Sequence, residues 1–164
     1  MSERGTRVRK QASAPAVIRN RKARHDYHVE ETFEAGLVLT GTEVKSVRAG
    51  QVTLTGGFVV IEEGEAWLVE VYIAPYEQAA AFNVDPQRRR KLLVKRREIE
   101  RLARAVSAKG WTLIPLSIYF VRGWAKVEVG LCRGKREFDK RDSLRAREAE
   151  RDVQRALGRG RYDD

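Results

Sequence analysis

The chain has 164 residues, 42% of them hydrophobic, and a formal net charge of +10, which implies one domain with a real core and a polyanionic partner. A single cysteine excludes an internal disulfide, and with only two histidines beside it there is no metal-ligand set. No apolar run approaches the roughly 18 residues of a membrane span and the start lacks a signal-peptide core, so a soluble cytoplasmic protein is the expectation.

In chain order, residues 1–19 are polar, basic and broken by Pro15, and read as a flexible extension. Asn20 to His25 leads into a long alternating strand. Tyr27, Val29, Phe33, Ala35, Leu37 and Leu39 fall on one face, with His28, Glu30, Thr32 and Glu34 on the other. Glu31 breaks the apolar face, and Gly36 reads as a bulge or bend. Gly41-Thr42 starts a short helix, with Thr42 as N-cap and Gly50 closing it. Phe58–Ile61 and Ala66–Tyr72 form a hairpin about Glu62–Glu65. Asp85-Pro86 opens a helical region in which Leu92, Leu93, Ile99, Leu102, Ala103 and Val106 form an apolar stripe. Trp111–Phe120 and Trp124–Leu131 make a second hairpin about Arg122-Gly123, with Pro115 marking an edge or bulge in the first of them.

These elements predict a mainly β fold with a few helices: a small closed or nearly closed antiparallel barrel, with a split β-sandwich as the competing architecture. The charge divides the chain in the same way. Residues 1–25 carry eight basic and one acidic side chain, residues 26–132 fourteen of each, and residues 133–161 eleven basic and six acidic. The organisation is therefore a basic extension (1–19), a neutral body (20–132) and a basic tail (133–164).

Three constellations bear on function. Arg88 to Arg104 holds nine basic and two acidic residues. If an apolar stripe pins that region to the body, the charges face out together as a phosphate-binding surface; a plain solvated face is the alternative. Glu30, Glu31, Glu34 and Glu43 resemble paired carboxylates but lack the partner acid, metal or pocket that catalysis needs. Glu34 fits better as an acceptor for a base amino group or as an orienter of a neighbouring Arg. Cys132 reads as a small core residue rather than a nucleophile. His25, beside Arg24, stacks on a base, meets a phosphate, or caps a helix. In the tail, Arg147, Arg151 and Arg155 recur at four-residue spacing opposite a thin stripe of Ala149, Val153, Ala156 and Leu157. Burying that stripe yields a few kcal/mol at about 25 cal/mol per Å². Ordering costs roughly 1 kcal/mol per residue, so the helix is expected to form only against a polyanion.

Several blocks together resemble one family. They are Asn20-Arg-Lys-Ala-Arg-His-Asp-Tyr27, Glu30-Glu-Thr-Phe-Glu-Ala-Gly36, Gly41-Thr-Glu-Val-Lys-Ser46, Arg48-Ala-Gly50, Asp85-Pro86, Arg90-Lys-Leu-Leu93, Gly134-Lys-Arg136 and Asp139-Lys-Arg141. In this order they are similar to small protein B, the SsrA-binding protein family of bacteria, over about residues 18–157. The resemblance implies an OB-like closed barrel that binds the tRNA-like domain of transfer-messenger RNA (tmRNA) and delivers it to stalled 70S ribosomes in trans-translation, together with elongation factor Tu. It implies no cofactor and no catalysis. The tail would enter the empty decoding centre and mRNA channel, meet ribosomal RNA, and become helical there. By motif position, Glu34, Leu93 and Lys126 correspond to residues linked with tmRNA binding, and Asn20, Arg24, His25, Arg48, Lys91 and Arg97 join that surface. Gly134, Lys135, Arg136, Asp139, Lys140 and Arg141 match the tail motifs. Phe138 stands where a His or another ring is common, which keeps stacking but loses an imidazole hydrogen bond. A ribosomal or general structured-RNA-binding protein without a delivery role is the alternative, and an RNA hydrolase using Glu30, Glu34 and His25 a third.

Overall fold

Two eleven-residue strands, Tyr27–Leu37 (β2) and Trp124–Gly134 (β9), form the spine of the computed structural model, which describes residues 17–108, 110–135 and 137–159. The other strands are Ile18–Arg19 (β1), Val52–Thr53 (β3), Phe58–Glu62 (β4), Glu65–Val69 (β5), Tyr72–Ile73 (β6), Arg90–Leu93 (β7) and Trp111–Val121 (β8). The helices are Arg21–Asp26 (α1), Gly41–Arg48 (α2), Arg96–Ser107 (α3) and Glu137–Arg159 (α4), with a 3₁₀ turn at Glu77–Phe82.

The antiparallel pairings form a cycle: β8 with β4, β4 with β5, β5 with β7, β7 with β2, β2 with β9, and β9 with β8. β1 adds to β8 outside that cycle. β3 and β6 pair separately. Inside the cycle lies the main core, with Ala35, Leu37, Leu68, Leu92, Leu113, Ile118, Val127 and Val129 buried. A smaller cluster of Ala23, Ile114, Leu116 and Cys132 sits beneath α1.

Both hairpins turn through two residues at positive φ, Glu63 (51°) with Gly64 (73°) and Arg122 (50°) with Gly123 (82°). Such turns follow the right-handed strand twist. Pro115 sits at a register shift on β8, between Pro115 and Ser117, where its missing N–H disturbs no regular ladder. The shift on β2 falls at Val29/Glu31, not at Gly36. Gly36 serves a different need, because a Cβ there would lie 3.1 Å from the Cβ of Leu93, and only a bare backbone lets β7 approach so closely.

Several expectations change. The N-cap of α2 is Thr40, not Thr42; its hydroxyl accepts from the Glu43 N–H at 3.4 Å, while Glu43 accepts from the Thr40 N–H at 3.0 Å. Asp85-Pro86 opens a turn and not a helix: the Asp85 carboxylate accepts from the Gln87 N–H at 2.9 Å and its carbonyl from Arg88 at 3.2 Å. Residues Arg90–Leu93 are then a strand, so Leu92 points inward and Leu93 outward, and only α3 carries a helical stripe, through Ile99 and Leu102.

The basic run does not face out together either. Arg90 is 0% exposed and Glu43 3%. Arg90 Nε lies 2.6 Å from Glu43 Oε2, and its other nitrogens donate to the carbonyls of Val71 (2.6 Å) and Pro86 (2.9 Å). Arg88 Nε donates to Glu43 Oε1 at 3.1 Å. Burial alone would raise the Glu43 carboxyl, but hydrogen bonds from Arg88, the Thr40 N–H and Arg90 hold it below its ordinary value. Further along, Arg89 pairs with Glu62, Lys91 with Glu65, Arg96 with Glu100 and Arg101 with Glu31. A run that reads as a one-sign patch is thus largely spent on ion pairs with other elements.

Residues Glu137–Arg159, the greater part of the tail, form the helix α4. Its 23 residues exceed the length at which Ala-, Arg-, Glu- and Leu-rich sequences become marginally helical alone. Residues 144–157 of α4 are all exposed. β9 runs to Gly134.

Candidate nucleic-acid interface

The outward face of β7, β2, β9 and β8 forms one polar stripe. Alternation on β7 turns Arg90 and Leu92 inward and leaves Lys91 and Leu93 outside. On β2 it exposes Glu34 next to the buried Ala35, and on β9 it turns Val127 and Val129 inward and Lys126 and Glu128 outward. Register joins these positions. Gly36 lies opposite both Leu93 and Lys126, Glu34 lies opposite Glu128, and Tyr119 of β8 lies opposite Lys126.

Two carboxylates directly across a strand pair repel each other. Here each has its own partner. The Tyr119 hydroxyl donates to Glu34 Oε2 at 2.5 Å and Lys126 Nζ stands 4.0 Å from Glu34 Oε1, while Arg24 reaches Glu128 at 3.3 Å. Partial burial, and then the bond to Glu34, push the Tyr119 phenol above its ordinary value, so it stays a donor at neutral pH. The result is a carboxylate held between one hydroxyl donor and one ammonium, where the sequence suggested a neighbouring Arg.

Leu93, 59% exposed, and Lys126 therefore meet Glu34 on one surface, with Lys91 on the adjoining strand. Arg24 joins from α1, through Glu128. Arg48 stands at the edge, its guanidinium carbon 5.2 Å from the centre of the Phe120 ring. His25 sits in the last turn of α1 with Nδ1 3.0 Å from Asp26 Oδ1. Arg97 is exposed on the first turn of α3, an element packed on β8 rather than a strand of the stripe.

Asn20 is a correction. It is 4% exposed, and its side chain donates to the Pro115 carbonyl at 2.9 Å and caps α1 by accepting from the Ala23 N–H at 3.2 Å. It holds α1 to β8 and has no surface to offer RNA. Cys132 is likewise internal, and burial pushes its thiol up to about 11. Sequence reasoning missed Tyr119, Glu128, Phe120 and Trp124; strict alternation about Ile118 and Val127 is the signal that marks the first two as outward.

Of the tail residues, Gly134 ends β9 and the Lys135 N–H donates to the Asp26 carbonyl at 2.9 Å, so the exit of the tail is tied to α1. Arg136 lies outside the described residues. Phe138, Asp139, Lys140 and Arg141 lie on the first turns of α4, and their side chains are outside the description. No helix among the described residues is long and apolar enough to cross a membrane.

Known proteins place this arrangement. A protein from Roseiflexus sp. (strain RS-1) described as SsrA-binding protein is 61% identical over 142 residues, covering 86% of this chain and 90% of the relative. One of the same description from Streptococcus equi subsp. zooepidemicus (strain MGCS10565) is 55% identical over 141 residues, covering 86% and 91%. A solved structure described as "tmRNA-SmpB: a journey to the center of the bacterial ribosome" superposes with a TM-score of 0.65 at 54% identity, over 80% of this chain and 96% of that one. The model of the family described as SmpB protein matches residues 17–159, and with it the stripe, the ring of strands and the tail; the chain belongs to the SmpB protein family.

Proposed function

We propose that this protein is a non-catalytic adaptor that binds tmRNA through the β7–β2–β9–β8 face and carries it to stalled ribosomes for trans-translation, acting in the cytoplasm. The observation that carries the reading is the convergence of Glu34, Leu93 and Lys126 on one exposed surface. A carboxylate held by Tyr119 and Lys126 is pre-aimed at base or ribose donors, and cations beside it meet phosphate. The relatives' description as SsrA-binding proteins, and the tmRNA and ribosome of the solved neighbour, support the same partners. Within the reading, the cycle of strand pairings is a small OB-like closed barrel, residues 20–132 are its RNA-binding body, and residues 133–164 are the ribosome-directed part. Elongation factor Tu belongs to the delivery complex.

The tail suits that second role because it has no body of protein behind it. Arg147, Arg151 and Arg155 line one side of α4 and are exposed, ready for a polyanionic channel, and the Gly134-Lys-Arg136 and Asp139-Lys-Arg141 motifs stand at its root. Docking there would hold in place a helix whose contact with the body is chiefly with α1.

The test separates the two parts. Truncation after Lys135 leaves β9 and its pairing intact. It is expected to leave tmRNA affinity within about threefold and to abolish peptide tagging on stalled ribosomes; a parallel loss of both would refute the division. Sequencing of RNA co-purified with the protein is expected to show one dominant tmRNA species, whereas ribosomal RNA alone would support a general RNA-binding role.

A further inference from the structure

The apolar end of the stripe contains a groove that the polar argument does not use. Leu93, Phe120, Trp124 and Lys126 line it together with the bare backbone of Gly36. Trp124 is 73% exposed at the tip of the β8–β9 hairpin, beside the exposed Leu93. An exposed indole facing a half-buried phenyl ring and a leucine is costly to leave in water. Gly36 keeps the floor open, since a side chain there would collide with Leu93. Cations flank the groove: Lys126 is part of the wall, and Arg48 stacks on Phe120.

Resting on the RNA-binding reading above, we infer that this groove takes one unstacked nucleobase of the bound RNA, with Trp124 as the stacking surface and Arg48 and Lys126 placed for the flanking phosphates. Three features favour a base over a protein side chain. The recess is small, far from the roughly 800 Å² per partner of a stable protein interface. Its rim is cationic, which complements a nucleotide. It also runs directly into the Glu34–Lys126 stripe, so one strand of RNA passes from polar contact to stacking without leaving β9. Stacking on an aromatic face is tolerant of base identity, which predicts shape selection rather than a sequence code.

The experiment uses the full chain and tmRNA. Trp124→Ala is expected to weaken tmRNA binding on the order of tenfold while leaving the slope of log affinity against log salt unchanged, because stacking releases no counterions. Trp124→Phe retains most of the affinity. In a Trp67→Phe, Trp111→Phe background, the remaining Trp124 fluorescence is quenched when tmRNA is added. Wild-type affinity in Trp124→Ala with no quenching overturns the base groove, and if Lys126→Ala still weakens binding, the RNA-binding reading survives that result. Loss of ribosome association with tmRNA affinity intact also overturns it, in favour of a ribosomal occupant. Failure of the wild-type protein to bind tmRNA removes both readings.

Discussion

Replacing Glu43 with Gln keeps the shape of the side chain and removes its charge. In the native protein that charge sits between the buried guanidinium of Arg90 and the part-buried one of Arg88. The variant leaves Arg90 fully enclosed, with only the Val71 and Pro86 carbonyls and a neutral amide around it. Breaking a buried pair from one side costs about 3–5 kcal/mol. In a chain of this size, with a melting temperature that moves about 2–4 °C per kcal/mol, the loss is roughly 6–20 °C. Urea unfolding followed by circular dichroism measures it. The sign with pH is also fixed. The Glu43 carboxyl is held below its ordinary 4.5, so its stabilisation is present above that value and disappears as pH falls through the folded-state value. The gap between wild type and variant should therefore be constant from about pH 6 to 8 and close on acidification below 4.5. Removing both charges, Glu43→Gln with Arg90→Met, should recover part of the loss. A single-variant loss below about 0.5 kcal/mol at pH 7, or a gap unchanged down to pH 3, would refute the buried-pair account.

Lys126→Ala should lower tmRNA affinity and reduce the magnitude of the salt slope by about 0.7–0.9, one phosphate contact's worth, in a filter-binding titration across salt. Triple replacement of Asp139, Lys140 and Arg141 by Ala should leave that titration unchanged and abolish tagging. The thiol of Cys132, fully buried and with its ionisation pushed up to about 11, should resist iodoacetamide at pH 8 until the protein is unfolded in urea.

The legible parts of this fold are those with strong local chemistry. Glu63-Gly64 and Arg122-Gly123 announce two-residue turns, and the alternation from Tyr27 to Leu37 and from Trp124 onward marks strands. The single face expected for Tyr27 to Leu37 is split by the register shift at Val29/Glu31, which puts Tyr27 and Val29 against the Cys132 cluster and Phe33, Ala35 and Leu37 against the main core. What misled was charge. Arg90-Lys-Leu-Leu is too short to display a period of two, and its arginine looks like a solvent-facing residue. Only the distant Glu43, 47 positions away, makes Arg90 a core residue, and no local pattern encodes that meeting. Thr42 yields the capping role to Thr40 for a similar reason: both hydroxyls precede a carboxylate, and only the backbone angle at the helix start separates them. At the interface, Glu34, Leu93 and Lys126 emerged from the family resemblance, whereas their shared surface depends on pairings between β7, β2 and β9 that sequence does not display. Asn20 carries the same motif yet is absorbed by the fold.

β9 is gripped along both edges, by β2 and by β8, from Lys126 to Arg133. Clamped that way it cannot stretch, so Lys126 and the root of the tail at Gly134 stay about 26 Å apart, eight strand steps of 3.3 Å. Inserting a single residue between them would turn one end of the strand over, because a strand alternates its sides. Any change in the reach between the two ends must therefore come in pairs of residues, which makes β9 a ruler graduated in units of roughly 7 Å.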